Sequence, residues 1–349
     1  MTKTRRVAVI GLGHWYSAYG LARGLPEYPA ATLVAAASPE AHKLEAFTST
    51  FKVPGYRDYR ELLEREDVDI VHVATPVSEM ADVVIASARA GKHLVLGKPM
   101  AMTVDEADRM VEAVEQSGVA CFPFQAIGRL RTADLVRRIR GGEIGDIKVI
   151  HQTCRWSIAE DWYQSGQPGW FADPRFVPGG AFIDEGIYWI DFFRYLTGSN
   201  IVRVEARMAN MVHTDIAVED WGMATFTCAN GVVATLEASW TINSPKKTAP
   251  SPKQNAVVRL ELVGTRGEII DQWFRSPGRA ILAAGAADWV FQRQPEQAFS
   301  GTFPLALDHL VTCLDKKCPP DVTVHEARSA FRAAMAAYQS AREGKPVNC

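Results

Sequence analysis

The chain has 349 residues, 47% of them hydrophobic and 22% charged, with a formal net charge of −2 and a pI near 6.5. This is an ordinary globular composition, with apolar matter for two cores rather than one swollen core. The densest basic cluster, "RLRTADLVRRIR", interleaves Leu130, Leu135, Val136 and Ile139 at helical spacing, so a solvated helix face explains it better than a nucleic-acid site, and no nucleic-acid partner is expected.

No stretch reaches the roughly 18 apolar residues of a membrane span, and the apolar run after Arg5 and Arg6 is interrupted by Gly, His and Trp. Neither export nor a membrane is expected. Cysteines stand at 121, 154, 228, 313, 318 and 349 without a CxxC pair; Cys313 and Cys318 lie close together near the end of an expected helix. Reduced thiols and a cytoplasmic location are the expectation.

In chain order, "RRVAVIGLG" is an apolar run broken by Gly11 and Gly13, with Ala18, Leu21, Ala22 and Leu25 following at helical spacing. That predicts strand, glycine turn, helix. Short apolar runs recur at "ATLVAAA", "DIVHVAT", "KHLVLG" and "GVACF", separated by helical segments; the one over 103–117 opens on Thr103 and Glu106, a capping box, and stops at Gly118. Alternating buried strands and helices predict a parallel, doubly wound sheet. Ligands of such sheets bind beyond the strand carboxyl ends, where a glycine turn and helix N-terminus admit a pyrophosphate.

The third small position of GxGxxG is Tyr16, and Ser38 ends the second strand where an acid commonly binds the ribose of NAD. A hydroxyl tolerates a 2'-phosphate, His42 and Lys43 are the neighbouring cations, and Glu40 can still reach the ribose; the expectation leans to NADP. Lys98 follows the strand ending in Leu96, counted as the fourth, and Pro99 restricts its backbone and permits a cis bond. It is expected to point toward a bound cofactor, against the alternative of a lysine snorkelling at a strand end.

Further on, "PGGAFIDEGIYWIDFFRYLTG" predicts a glycine pair and a helix running to Gly198. Asp184, Tyr188, Asp191 and Tyr195 fall on one stripe of it. Asp191 and Tyr195 are expected to hydrogen-bond in the core, whereas Asp184 and Tyr188 lie in the first turns, where a ligand can approach.

Taken together, these segments resemble those of the glucose-fructose oxidoreductase and inositol dehydrogenase family (Gfo/Idh/MocA). The resemblance rests on "GLGHW" at 11–15, "ATP" at 74–76, "AGKHLVLGKPMAMT" at 90–103, "GGAFIDEGIYWID" at 179–191, "VGTRGEI" at 263–269 and "YQSAREGKPV" at 338–347. It implies a nicotinamide-dependent dehydrogenase acting on sugars or cyclic polyols. NAD(P) contacts are implied for Gly11, Gly13, His14, Trp15, Thr75, Pro76 and Lys98, with Lys98 as the lysine of the family's "EKP" and Asp184 and Tyr188 matching its Asp and His. Three departures stand out: Tyr188 for the commoner histidine, as in the glucose-fructose oxidoreductase and dihydrodiol dehydrogenase branch; Gly97 for the glutamate of "EKP"; and Tyr16 for a small residue.

The mechanism expected pairs two groups whose reference pKa values are about 10 and about 10.4. A lysine cation favours tyrosinate and the phenolate favours charged lysine. Tyr188 would exchange the substrate proton, alone or shared with Lys98, the two element ends meeting over the cofactor, and Asp184 would orient a hydroxyl. Substrate contacts are expected from Gln125 and Arg129 past the fifth strand, a solvated Arg129 being the alternative, and from the aromatic-rich connection carrying Arg155, Trp156, Trp162, Tyr163 and Trp170.

The domains expected are 1–123, a Rossmann dinucleotide-binding domain; 124–318, an α+β domain with a large, mostly antiparallel open sheet for substrate and oligomerisation; and 319–349, a C-terminal helix alongside the first domain. The resemblance implies a homodimer or homotetramer through the open sheet. A redox-assisted glycoside hydrolase and a non-enzymatic NAD(P)-dependent regulator are the alternatives. No HxxH or HExxH arrangement supports a metal.

Overall fold

The computed structural model describes residues 4–158, 169–242, 256–273, 277–294 and 302–349. They form two compact units, residues 1–130 with 298–328, and residues 131–297 with 329–349. The loop "NSPKKTAPSPKQ", Trp162 and Tyr163 lie outside the described residues.

The first unit runs β1 (Arg5–Ile10), α1 (Trp15–Gly24), β2 (Ala31–Ala37), α2 (Ala41–Phe51), β3 (Gly55–Tyr56), α3 (Tyr59–Leu63), β4 (Ile70–Val73), α4 (Val77–Arg89), β5 (His93–Leu96), α5 (Val104–Ser117) and β6 (Cys121–Pro123), then α6 (Ile127–Arg131). Its strands are parallel in the order β3-β2-β1-β4-β5-β6. The order reverses between β1 and β4, which places the crevice between the loops that follow those two strands. Strand β3 is too short to leave a sequence pattern, so the strand before Lys98 is fifth, not fourth. The α5 cap is split: Thr103 Oγ1 accepts from Glu106 N–H at 3.2 Å, while Glu106 Oε2 accepts from Met102 N–H at 2.8 Å.

The second unit continues with α7 (Ala133–Arg140), β7 (Ile147–Arg155), α8 (Ala181–Thr197), β8 (Ile201–Ala209), β9 (Trp221–Cys228), β10 (Val233–Ser239), β11 (Val257–Gly264), β12 (Glu268–Gln272), β13 (Gly278–Leu282) and β14 (Val290–Arg293). The chain then forms α9 (Thr302–Lys316), α10 (Val324–Glu343) and β15 (Val347–Asn348). The nine-stranded sheet has the order β14-β13-β12-β11-β7-β10-β9-β8-β15, antiparallel except for the β7–β10 pair. Alternation decides its faces: Cys154, Leu236 and Phe226 are buried on the α8 side, while Thr153, Glu237 and Thr225 point away. Helix α8 lies close because Gly186 has no side chain; a Cβ there would meet Leu236 Cδ2 at 3.0 Å.

The units fall at different places from the boundaries read in the sequence. Helix α9, expected in the second domain, joins the first, where Phe303 stacks on Phe124 at 4.5 Å between centroids. Only residues up to Arg328 of α10 belong to the first unit; from Ser329 the chain belongs to the second, with β15 paired to β8.

Candidate active site

In the first unit, the turn after β1 is built around the loop after β4. Gly11 has φ +90°, and a Cβ on it would sit 2.5 Å from Thr75 N. At Gly13 a Cβ would meet Pro76 Cδ at 2.7 Å, and His14 N–H donates to Ala74 O at 2.9 Å. Both glycines are therefore required by the approach of residues 74–76. Trp15 opens α1, and Tyr16 packs on His14 at 4.3 Å and on Phe303 at 6.3 Å, so the bulky third position is accommodated by α9.

Thr75 is buried and its Oγ1 makes no hydrogen bond within the described residues. A hydroxyl of this kind, at the mouth of a glycine turn on the switch point, fits a dinucleotide that supplies the missing partner. Ser38 follows β2 and is buried, its Oγ accepting from Glu40 N–H at 3.3 Å. Glu40 pairs with Lys43 at 2.8 Å, His42 is exposed, and Arg57 donates to Pro39 O at 2.5 Å. Arg57 is a cation the sequence reading missed, because it reaches the end of β2 from beyond β3.

Lys98 follows β5 with 3% of its surface exposed, and its peptide bond to Pro99 is cis. Burial at this level sets aside the snorkelling alternative. Its charge acts with burial on His14, whose imidazole is held well below its ordinary pKa chiefly by burial, then by Lys98 and His72. Gly97 also has a local reason: a Cβ would meet Met80 Cε and Val73 O, both at 2.9 Å, so a glutamate would displace the end of β4. Gln125 is buried, donating from Nε2 to Ala327 O at 3.4 Å, with Oε1 making no hydrogen bond within the described residues. Arg129 is buried, not solvated, and its charge helps hold Glu326 below the usual carboxyl range.

In the second unit the site is the start of α8. The carboxylate of Glu219 accepts from Gly180 N–H at 2.9 Å and Phe182 N–H at 3.0 Å, and from the Tyr338 hydroxyl at 2.7 Å. Tyr338 Oη in turn accepts from Ile183 N–H at 3.2 Å. These groups satisfy the free N–H donors of the first turn with a charge of the favoured sign. They also explain the glycine pair: a Cβ on Gly179 would lie 2.1 Å from Tyr338 Oη, and one on Gly180 2.1 Å from Glu219 O.

Asp184 is buried in the next positions, its charge felt by Tyr338 and by Cys154, whose thiol burial drives strongly upward. Trp156 donates from Nε1 to Cys154 Sγ at 3.3 Å, so it stands on the α8 side of the sheet with Asp184. Tyr188 is half-buried and in electrostatic contact with Arg131, whose guanidinium lies 5.3 Å from the centre of the Trp273 ring. Trp170 stacks on Phe171 at 3.9 Å. Arg155, expected to contact substrate, instead lies on the face away from α8, paired with Glu237 at 2.7 Å, because it follows the inward-facing Cys154 by one residue. Asp191 is fully buried, and Tyr195 lies under Arg140 at 4.8 Å, away from the first turn. Among the described residues, no group of three His, Cys, Asp or Glu side chains is placed to hold a metal ion, and no helix is long and apolar enough to cross a membrane.

A doubly wound sheet with a glycine turn at its switch point and a buried lysine on a neighbouring strand end defines a dinucleotide-dependent oxidoreductase. Comparison with known proteins narrows this. Residues 5–125 match the model of the oxidoreductase family with an NAD-binding Rossmann fold, and residues 132–270 match the GFO/IDH/MocA C-terminal domain. The chain belongs to the Gfo/Idh/MocA oxidoreductase family. It is similar to scyllo-inositol 2-dehydrogenase (NAD(+)) of Bacillus subtilis, 29% identical with 98% of this chain and 95% of that one covered. It is also similar to levoglucosan dehydrogenase of Pseudarthrobacter phenanthrenivorans, 27% identical over 84% and 80% of the two chains. A solved levoglucosan dehydrogenase in complex with NADH and L-sorbose shares the fold with a TM-score of 0.84, covering 99% of this chain and 98% of that one at 22% identity.

Proposed function

We propose that this protein is an NAD(P)-dependent dehydrogenase or reductase acting on a secondary alcohol or ketone of a sugar or cyclic polyol. The observation that carries this reading is Lys98, a lysine with 3% exposure at the end of β5 in the unit that holds the glycine turn. Support comes from relatives named as inositol and levoglucosan dehydrogenases. Gly11, Gly13, His14, Trp15, Thr75 and Pro76 would hold the dinucleotide, with Ser38, Lys43 and Arg57 at its ribose end. When bound, its nicotinamide supplies the hydride acceptor or donor.

The chain's own part is the proton. In oxidation, the Tyr188 phenolate takes the proton of the carbinol oxygen, and in reduction the phenol returns it. Lys98 serves the same proton transfer as the cation of the cofactor-holding unit, and Asp184 accepts from a substrate hydroxyl. Trp156 and Trp170 offer ring faces to the sugar, and Gln125 an unsatisfied amide oxygen. Ser38, with Glu40 already engaged by Lys43, favours NADP over NAD. The face of the nine-stranded sheet away from α8, which exposes Met223, pairs between copies of the chain, an oligomer that light scattering measures. A cytoplasmic location accords with six free cysteines.

The test is a panel of sugars and cyclic polyols with NAD and with NADP, followed by nicotinamide absorbance. Net turnover separates this function from redox-assisted glycoside hydrolysis and from a cofactor-binding regulator. On the best substrate, Tyr188→Phe lowers kcat by roughly a hundredfold or more with cofactor affinity kept. Lys98→Met added to it costs little further, since groups that act as a unit are not additive. Near-normal turnover of Tyr188→Phe would remove the assignment.

A further inference from the structure

Lys317, the residue after helix α9, has φ +53°. Cys318 N–H donates to Cys313 O at 3.0 Å and Lys317 N–H to Leu314 O at 3.3 Å, the two bonds of a Schellman helix end. That motif brings together the side chains flanking it, here Cys313, which is buried, and Cys318, which is exposed. Bond lengths cap the separation of their Cα atoms at about 7 Å across such a hydrogen bond, the upper limit of what a disulfide bridges, and the bent path of the helix end brings them below that cap.

One turn earlier, His309 Nε2 lies 3.7 Å from Cys313 Sγ, and the same nitrogen accepts from Asp321 N–H at 3.3 Å. The acceptor nitrogen of a neutral imidazole has one lone pair, which the Asp321 N–H and the Cys313 thiol share here, so it takes the thiol proton only as the Asp321 hydrogen bond opens. Burial pushes the Cys313 thiol up to about 11, with the neighbouring Cys318 adding to the effect. It therefore stays protonated near neutrality until a base takes the proton, whereas Cys318 faces solvent.

We propose that Cys313 and Cys318 are a redox-modification site, a dithiol that a low-molecular-weight disulfide such as oxidised glutathione closes to an intramolecular bond. The Cys318 thiolate attacks one sulfur of the small disulfide, forming a mixed disulfide and releasing one thiolate. Cys313 then yields its proton to His309 Nε2 as the Asp321 N–H bond to that nitrogen opens, and its sulfur attacks Cys318 Sγ, forming the internal bond and expelling the second thiolate. The two cysteines lose two electrons and two protons, and one small disulfide becomes two thiols.

The full chain is treated with oxidised glutathione, its remaining thiols alkylated, and the protein cleaved after lysine. Because Lys316 and Lys317 separate the two cysteines, cleavage leaves peptides joined only by the new bond, lighter by two hydrogen atoms. Dithiothreitol restores both thiols. Cys313→Ser cannot resolve the first adduct and accumulates glutathione on Cys318; Cys318→Ser forms neither adduct nor bridge at this helix end. His309→Asn slows conversion of the mixed disulfide roughly tenfold near neutral pH. Recovery of Cys313 and Cys318 as separately alkylated residues in the wild-type chain, under conditions that modify Cys349, overturns the proposal, as does glutathione on Cys349 alone in Cys313→Ser.

Discussion

Arg131 stands at the end of α6, over the Trp273 ring and within electrostatic reach of Tyr188, in the unit that carries α8. In the sequence it is one more arginine of "RLRTADLVRRIR", and nothing local separates it from Arg137, whose side chain is exposed. Burial lowers its pKa and the phenol partly restores it, and by reciprocity the guanidinium favours the ionised phenol. Arg131→Met keeps much of the packing against Trp273 and removes the charge. The limb of the kcat pH profile that reports the proton acceptor then moves up by about one pH unit, and Arg131→Lys restores most of the shift. An unmoved profile in Arg131→Met would mean that Arg131 only packs. The same scale explains which candidate residues were legible. Lys98, Asp184 and Tyr188 could be singled out from their places at element ends, while the face of Arg155 depended on where Cys154 points in the second sheet.

At the scale of the element, the helix carrying Asp184 and Tyr188 is anchored by groups remote in sequence. The glycine pair before α8 reads locally as a loop, yet its reason is Tyr338 and Glu219, which occupy the space a Cβ would take. No window of sequence around residue 180 contains either partner, so the anchor was illegible while the helix, its polar stripe and its stop at Gly198 with φ +59° were not. Burial raises the Glu219 carboxyl pKa, and hydrogen bonds from Tyr338, Gly180 and Phe182 pull it back. Glu219→Ala strips those donors of their acceptor and costs about 3 kcal/mol in urea unfolding of the second unit, on the basis of about 1 to 3 kcal/mol for a buried group left unpaired. Tyr338→Phe costs about 1 to 2 kcal/mol by itself and less in the Glu219→Ala background, because the two share one bond. Strict additivity in that cycle would show that they act separately. Glu219→Ala also lowers kcat more than it raises KM if the helix start positions Asp184 and Tyr188, a split that lost stability alone does not produce.

For the whole molecule, the alternation of strands and helices made the first sheet legible, and polar/apolar alternation with turn glycines the second, but which helices join each was harder to read. A helical pattern such as that of α9 says which face is apolar but not which sheet it will cover, and the stacking of Phe303 on Phe124 decides that. The same helix helps enclose His72 of β4, which is fully buried, 6.1 Å from the Phe303 ring, with Nε2 2.6 Å from Ser17 Oγ. Burial lowers the His72 pKa to about 4, and it holds His14 well below the ordinary value in the same way. In the unfolded chain a histidine titrates near about 6.5. Above that pH both states are neutral and the groups contribute no pH dependence. As the pH falls from 6.5 toward 4, the unfolded chain binds protons that the folded chain refuses, so stability declines on acidification, by about 3 kcal/mol for His72 across the window. The unfolded state binds more protons there, and stability therefore rises with pH, the sign required by linkage. Proton uptake on unfolding at about pH 5.5, measured by calorimetry in buffers of different ionisation enthalpy, should fall by about 0.9 proton in His72→Gln. An uptake equal to that of the wild-type chain would mean that His72 is already charged in the folded protein, and that the pocket of Ser17 and Phe303 accommodates an imidazolium.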